Sequence, residues 1–270
     1  GLEWSPDLIV ISSPASYHFK QSEFFSKSGI PILLEKPIGL IDDSLLKWSE
    51  LDAYKTSQIN VGYLLRFDPC YLYFTQILNN SLLGKVVHSS IYCGSWLPDW
   101  RYKDYRESVS SHQGLGGGVL TELSHELDLA LSLFGDLRLD WVKLINSNIL
   151  EIDVYDYVDI HANTSIVPNI YIHLDFCTNN KRREILVRGS EGELEWDLIE
   201  GKITINNSAG KRILFEQEFD IYDILSKQLS SFFHEGNDDY FPKPCSLNQG
   251  IKIMNLIKNI NNMPRNDINE

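Results

Sequence analysis

Three short apolar runs near the start of the chain constrain the fold more than any other feature of the sequence. DLIVIS, PILLE and INVGYLL lie at 7–12, 31–35 and 59–65, and a helical segment separates each run from the next. Continuous apolar runs of this length are typical of strands that helices cover on both faces. The β-α-β-α-β order implies right-handed crossovers, so it predicts a doubly wound parallel sheet.

A different pattern begins at about Pro69. A helix is predicted at 70–82, and alternating strands follow between 141 and 217, after the strand-like KVVHSSIYCG and a loop rich in Trp, Tyr and Arg. Alternation of apolar and polar residues is typical of antiparallel sheets with one covered face. Two further helices are predicted: 221–234 and 246–261. We therefore predict two domains, 1–68 and 69–270, the second of α+β type with a large, mostly antiparallel open sheet.

Composition narrows the class of protein. With 270 residues, of which 43% are apolar and 23% charged, the chain is long enough for two domains with their own cores. The net charge of −13 argues against nucleic acid as a partner, because nucleic-acid domains usually carry a basic surface. The four cysteines lack CxxC spacing, so we expect reduced thiols and no zinc site.

No apolar run reaches the roughly 18 residues of a membrane span, and the first residues do not resemble a signal peptide. We expect a cytoplasmic protein with no membrane partner and no metal.

Polar residues follow the first two apolar runs at once. Ser12-Ser13-Pro14 follows the first run, and Glu35-Lys36-Pro37 follows the second. Ligands of open parallel sheets bind beyond the carboxyl ends of the strands, so both sets are expected to face a crevice. Pro37 biases Lys36 away from helical backbone angles, which would direct its long cationic side chain into that crevice. The alternative is an ordinary Lys-Glu pair on a surface loop.

The stretch GGGVLTELSHELDLALSLFG, at 116–135, predicts a long amphipathic helix. Its apolar residues fall on one arc of a helical wheel. The opposite face carries four polar residues: Thr121, Glu122, His125 and Asp128. The glycine triplet permits close approach of another backbone, which favours a cleft, and a histidine with a pKa near ~6.5 can exchange a proton with a hydroxyl or carbonyl group. A solvated outer face is the alternative.

Seven stretches of the sequence, taken in order, resemble the Gfo/Idh/MocA family of NAD(P)-dependent oxidoreductases. They are DLIVISSPASYHF, GIPILLEKPIGL, LLRFDP, LLGKVVHSSIYCG, GGGVLTELSHELDLALSLFG, SKQLSSFF and CSLNQGIKIMNLI. The resemblance implies the C-terminal part of a Rossmann-type parallel sheet over 1–68, followed by a substrate-binding and oligomerisation domain over 69–270. It also implies hydride transfer at a carbon of a sugar, sugar derivative or polyol.

The resemblance implies catalytic roles for individual side chains. Lys36 would orient and polarise the reacting oxygen, and His125 would be the general acid or base. Many family members have an aspartate four residues before this histidine; Thr121 stands there, and Glu122 is the candidate to replace it. We expect Lys36 and His125 to share one cleft, because a carbinol that loses a hydride needs a base near its hydroxyl and a cation beside it.

The resemblance also implies binding residues. The nicotinamide end of NAD or NADP would contact six residues: Ser12, Ser13, Pro14, His18, Glu35 and Lys36. The substrate would contact seven residues: Arg66, Trp96, Trp100, Arg101, Tyr105, Arg106 and Thr121. The loop SWLPDWRYKDYRESVSSHQGLGGG is most similar to members associated with surface-polysaccharide and nonulosonic-acid sugars. Its aromatic and arginine side chains suit a sugar ring with an anionic group, and an ordinary packed loop is the alternative.

One family motif, the G-x-G-x-x-G turn after a strand, does not occur in the sequence. The backbone N–H groups of such a turn hold the pyrophosphate of a dinucleotide. We therefore expect weak or absent binding of NAD and NADP to this chain, with a dissociation constant of about millimolar or worse. The alternative to an oxidoreductase is a truncated, non-catalytic sugar-binding or assembly module.

The predicted strands between 141 and 217 also bear on assembly. Four of their residues are too apolar to be left in water on a free sheet face: Ile160, Ile172, Leu174 and Trp196. Together with the family resemblance, this predicts dimers or tetramers of the chain, formed through the C-terminal sheet.

Overall fold

The computed structural model of the chain describes residues 6–41, 44–48, 50–51, 58–233 and 242–264. The chain divides into two compact parts, which we call the first unit and the second unit. The first unit is 1–67 with 221–258, and the second unit is 68–220 with 259–270. The first unit therefore includes a C-terminal segment that the sequence analysis assigned to the second domain.

The first unit is built on the parallel sheet that the apolar runs predict. Its strands are β1 (Ile9–Ile11), β2 (Ile32–Leu34) and β3 (Ile59–Val61), and each neighbouring pair is parallel. The crossover helices are α1 (Ala15–Phe25) and α2 (Ser44–Trp48). Phe19 packs edge-on against Trp48, with ring centroids 5.1 Å apart, so the two helices share an aromatic contact. The helical segment predicted between the second and third apolar runs continues after α2 into residues that lie largely outside the described part of the chain.

A fourth strand joins this sheet from the C-terminal segment. β12 (Cys245–Ser246) pairs antiparallel with β3, and Cys245 lies opposite Val61. It lies between α6 (Ile221–Ser230) and α7 (Leu247–Asn262). Sequence reasoning did not predict β12, because a run of two residues is too short to show a period.

The second unit contains the large, mostly antiparallel sheet. Its eight strands lie in the order β11-β10-β9-β8-β4-β7-β6-β5, and β4 with β7 is the parallel pair among those described. The strands are β4 (Val86–Gly94), β5 (Arg138–Ile145), β6 (Tyr157–Asn163), β7 (Ile170–Asp175), β8 (Arg182–Gly189), β9 (Gly192–Asp197), β10 (Lys202–Asn207) and β11 (Gly210–Glu216). The predicted fold class, a partial Rossmann-type parallel sheet followed by an α+β domain with an open sheet, is confirmed.

Three helices cover one face of the large sheet. They are α3 (Pro69–Asn79), α4 (Val119–Glu122) and α5 (Ser124–Phe134). α3 packs on β10 and β11, α4 on β6 and β7, and α5 on β4. The single long helix predicted at 116–135 is thus two helices, because the backbone of Leu123 leaves the helical region with φ −96° and ψ 28°. The break changes which residues share a face, so the helical wheel holds only within each piece.

The two faces of the large sheet differ in polarity. Ile160, Ile172, Leu174 and Trp196 are all 0% exposed within a single chain. The rest of the chain therefore already buries these four side chains. They give no reason for a second copy of the chain to bind, so the argument for an oligomer from exposed apolar residues is corrected. The residues that alternate with them, such as Tyr171 and His173 in β7, point to the other face. Among the helices of the described part, none is long and apolar enough to cross a membrane.

Candidate functional site

The ends of β1 and β2 carry the polar residues that the sequence analysis singled out in the first unit. The backbone N–H of Glu35 donates to the carbonyl of Ile11 over 2.9 Å, so the two carboxyl ends lie side by side. Ser12 and Pro14 are exposed there, and Ser13 is half-buried. This is the edge at which parallel sheets bind ligands, as the sequence predicted.

His18 holds the segments after β1 and β2 together. Its side chain is buried in α1, with Nε2 2.7 Å from the carbonyl of Ser13 and Nδ1 2.8 Å from the carbonyl of Pro37. Burial lowers the pKa of His18, although both carbonyl contacts raise it. Because its two ring nitrogens face these two carbonyl oxygens, His18 fixes the position of the two segments relative to each other.

Glu35 and Lys36 are both half-buried at the end of β2. Burial raises the pKa of the Glu35 carboxyl, and the neighbouring Lys36 opposes that rise. A Cβ placed on Gly62, after β3, would lie 2.9 Å from Oε2 of Glu35, so this carboxyl group rests directly on the Gly62 backbone. The peptide bond between Lys36 and Pro37 is cis.

Arg66 lies in the turn Leu64–Phe67 after β3 and is 4% exposed. Its Nη1 donates to Oε1 of Gln249 in α7 over 3.0 Å. The guanidinium group therefore connects the turn to the C-terminal segment within the first unit.

The polar residues of α4 and α5 divide into two sets. Glu122 and His125 are half-buried, whereas Thr121 and Asp128 are 4% and 1% exposed. The Thr121 hydroxyl donates to the carbonyl of Gly118 over 3.0 Å. Glu122 and His125 are thus the members of the predicted polar face that solvent can reach, and Thr121 contributes to the helix start.

The glycine triplet makes the close backbone approach that the sequence predicts. A Cβ on Gly117 would overlap the carbonyl oxygen of Val109 and would lie 2.8 Å from the carbonyl oxygen of Ser110. Only glycine fits this position without a shift of the neighbouring backbone. The triplet therefore joins the start of α4 to the loop that contains the aromatic and arginine candidates.

Three of the substrate-binding candidates in that loop share a small recess in the second unit. Its lining consists of Leu97, Trp100, Arg101, Tyr105, Ser108 and Ser110. The Trp100 indole N–H donates to Oγ of Ser95 over 2.9 Å, and its ring packs edge-on against Phe176. Arg101 is exposed, and Trp96, at the start of the turn, is half-buried but does not line the recess.

Arg106 is engaged by carboxylates. Its Nη2 lies 2.7 Å from Oδ2 of Asp104, and its Nη1 lies 3.2 Å from Oε2 of Glu151. Hydrogen bonds from Arg106 lower the pKa of Asp104. An anionic sugar group at Arg106 would have to compete with both carboxylates.

A network of titratable side chains that the sequence analysis did not identify lies on the open face of the large sheet. His173 in β7 places Nδ1 2.7 Å from Oδ1 of Asp159 and Nε2 2.9 Å from Oδ2 of Asp175. Exposure of these three residues is 8% or less. Burial alone would lower the pKa of His173, but the hydrogen bonds and charges of Asp159 and Asp175 raise it to about 9. The imidazole is therefore a cation held between two carboxylates at neutral pH.

Aromatic side chains cover this network. The hydroxyl groups of Tyr157 and Tyr171 donate to Asp159 over 2.7 and 2.6 Å. The Tyr92 ring stacks on His173 with centroids 4.4 Å apart, and the guanidinium of Arg182 lies 4.5 Å from the Tyr92 centroid. Polar residues at every second position of YVDIHAN and IYIHLD are the signal that could have found the network. In the described part of the chain, no group of three or more His, Cys, Asp or Glu side chains could hold a metal ion.

The sequence of the chain is similar to those of several curated dehydrogenases and oxidoreductases. No family model matches it. It is 25% identical over 197 residues to inositol 2-dehydrogenase of Rhizobium meliloti (strain 1021), a match that covers 69% of this chain and 56% of that protein. It is 26% identical over 123 residues to the rhizopine catabolism protein MocA of Rhizobium meliloti, covering 45% of this chain and 36% of that protein. Both relatives support the resemblance to the Gfo/Idh/MocA family that the sequence motifs carry.

Structural comparison shows a likeness of fold. Levoglucosan dehydrogenase, solved in complex with NADH and levoglucosan, matches with a TM-score of 0.74 and 13% identity. The match covers 94% of this chain and 76% of that chain. The chain spans about half the length, or less, of these two curated relatives, at 56% and 36%.

Proposed function

We propose that this chain carries the sugar-handling part of an NAD(P)-dependent oxidoreductase, which transfers hydride to or from a carbon of a sugar, sugar derivative or polyol. The observation that carries the proposal is the position of Lys36 at the carboxyl end of a buried parallel strand, where such sheets bind ligands. His125, half-buried in the second unit, provides a second titratable group. The names of two similar proteins, inositol 2-dehydrogenase and levoglucosan dehydrogenase, support a polyhydroxylated substrate.

Each proposed catalytic group has one task. The imidazole of His125 accepts the proton of the substrate hydroxyl during oxidation and returns it during reduction. The ammonium group of Lys36 stabilises negative charge that develops on a substrate oxygen. Glu122 orients the imidazole through its carboxylate. A bound nicotinamide ring would supply the hydride acceptor or donor.

The residues at the ends of β1 and β2 fit the nicotinamide end of a dinucleotide. The exposed Ser12 hydroxyl and the half-buried Glu35 carboxyl are polar groups at the ligand-binding edge of the sheet, and His18 fixes the two segments that carry them. The sequence has no G-x-G-x-x-G turn for the pyrophosphate, so the proposal includes weak affinity for NAD and NADP alike.

We extend the proposal to the substrate and the assembly. The exposed Arg101 shares a recess with Trp100 and Tyr105, which supports a sugar with an anionic group as substrate. We place this activity in surface-polysaccharide metabolism and in the cytoplasm. Tyrosine and arginine are enriched in protein interfaces. The stacked side chains of Tyr92 and Arg182 lie on the open face of the sheet, which supports a homo-oligomer formed through that face.

The test is a spectroscopic assay of dinucleotide reduction. The chain is incubated with NAD+ or NADP+ at the highest soluble concentration and with myo-inositol, levoglucosan, neutral hexoses or uronic acids. We expect absorbance at the nicotinamide band to rise with at least one substrate. His125→Asn should lower the rate by about 10²- to 10⁴-fold, the usual contribution of a general base. Lys36→Met should also lower the rate.

Matched controls are His161→Asn, on β6 of the sheet, and Lys47→Met, an exposed lysine of α2. Both should keep the wild-type rate. Absence of turnover with every substrate, or equal rates for wild type and His125→Asn, would reject the proposed activity. Sugar binding without turnover would favour the non-catalytic module.

A further inference from the structure

A largely buried ion pair fixes the helix that carries His125. Glu126, the next residue of α5, is 1% exposed. Its Oε1 accepts a hydrogen bond from Nε of Arg183 in β8 over 2.6 Å, and Nη2 of the same guanidinium lies 2.6 Å from that oxygen. Two nitrogens of one rigid guanidinium fork thus converge on a single oxygen, which limits both the distance and the direction between the helix and the strand.

Burial and the neighbouring charge have opposite effects on Arg183. Burial would lower the pKa of Arg183, but the charge and hydrogen bond of Glu126 raise it. Burial raises the pKa of the Cys93 thiol of β4 well above its ordinary value, and the nearby Glu126 adds to that rise. Within the described residues, Oε2 of Glu126 has no hydrogen-bond partner. The desolvation of two buried charges can exceed their mutual attraction, so the pair is poorly explained as a device for stability alone.

The position of Glu126 on α5 determines where its neighbour points. Successive residues of a helix project about 100° apart, so a side chain anchored to the sheet sets the direction of the residue before it. α5 begins only one residue after the break at Leu123, so its first turn is not continuous with α4. The ion pair with β8 instead holds the first turn of α5 on the sheet. Arg183 also interacts electrostatically with Asp68, the N-cap of α3, and so links two helix starts.

We propose that Glu126 and Arg183 are positioning residues, whose forked ion pair holds the first turn of α5 so that His125 adopts a single orientation. The inference rests on the proposed role of His125 as the acid or base. A positioning role differs from a purely stabilising one in a way that can be measured. If the pair positions His125, its loss changes the His125 ring even at temperatures where the chain is fully folded.

Two variants of the full chain test this proposal. Arg183→Lys keeps the positive charge but cannot form the fork. The double variant Glu126→Leu/Arg183→Met replaces the pair by apolar side chains of similar size, which buried pairs often tolerate without loss of stability. The matched control is Glu195→Gln, which removes the carboxylate of the exposed pair between Glu195 and Lys211.

The readout is the two-dimensional ¹H–¹³C spectrum of the histidine rings, recorded well below the melting temperature of each variant. We expect the His125 Cε1–Hε1 peak to shift, split or broaden in both pair variants and to stay unchanged in Glu195→Gln. The peaks of His88 and His161, on strands β4 and β6, should remain in place in all variants.

An unchanged His125 peak in either folded pair variant overturns the proposal, and so does an equal shift of the His88 and His161 peaks, which would indicate a general structural change. If Arg183→Lys does not fold, the double variant decides the matter. The spectrum does not depend on turnover, so a failure of the positioning role is distinct from a failure of the proposed activity, which the His125→Asn assay reports.

Discussion

The cation at His173 should make the stability of the second unit depend on pH. The pKa of His173 is raised from 6.5 to about 9 by Asp159 and Asp175 against the opposing effect of burial. A group whose pKa is higher in the folded than in the unfolded state stabilises the fold when it is protonated. The contribution is therefore fully present below about pH 6.5, and it is lost as the pH rises through about 9.

The size of the effect follows from the same two values. Each pKa unit corresponds to about 1.4 kcal/mol, so the rise at His173 corresponds to about 3 kcal/mol of stabilisation at low pH. His173→Gln removes the titrating group but keeps a polar side chain. The difference in unfolding free energy between wild type and this variant should fall by about 3 kcal/mol between about pH 6 and about pH 9.5.

Urea unfolding followed by tryptophan fluorescence measures this difference. Four of the six tryptophans lie in the second unit: Trp96, Trp100, Trp141 and Trp196. His161→Gln, which alters a histidine of β6 outside the ion-paired network, is the matched control and should follow the wild-type pH profile. A wild-type advantage over His173→Gln that is constant across the pH range would refute the reasoning, because it would show that the imidazole does not change its charge there.

Three further predictions follow from features of the described residues. Gly117→Ala should destabilise the chain by about 2 kcal/mol or more in thermal or urea unfolding, because its Cβ would overlap a backbone carbonyl, whereas Gly114→Ala meets no atom and should be nearly neutral. Native Cys70 and Cys93 should resist alkylation at about pH 8 and react after unfolding. The reason is that burial raises the pKa of Cys70 to about 12 and that of Cys93 well above its usual value. Rapid mass addition to the native chain would contradict this prediction. Titration calorimetry should give a dissociation constant of about millimolar or weaker for NAD(H) and NADP(H), and micromolar binding would disprove it.

The sequence predicted the parts of the structure that local patterns determine. Continuous apolar runs identified β1, β2 and β3, and the polar residues directly after them lie at the sheet edge as expected. The glycine triplet predicted a close backbone approach, which Gly117 makes. Each of these features depends on residues within a few positions of one another, so no long-range information was needed.

Features that depend on pairing between distant residues were not predictable in this way. Glu126 and Arg183 meet across 57 positions, and no local pattern links them. His173 and Asp159 become neighbours only through the register of β6 with β7, in which Asp159 lies opposite His173. The apolar character of Ile160 gave no information about which sheet face it occupies, so the argument for an exposed apolar surface was wrong. Residue type indicates burial, but the topology decides what provides the cover.

The pairing of β12 with β3 affects how the chain can fold during synthesis. β3 ends at Val61, and its antiparallel neighbour Cys245 leaves the ribosome only after all of 68–220. The second unit can therefore acquire its structure while the sheet of the first unit still has an unpaired edge. A polypeptide that terminated at about residue 220 would contain the complete eight-stranded sheet together with an exposed edge of β3, a typical starting point for aggregation. Quality control of nascent chains would thus be sensitive to a strand that is made after the whole second sheet.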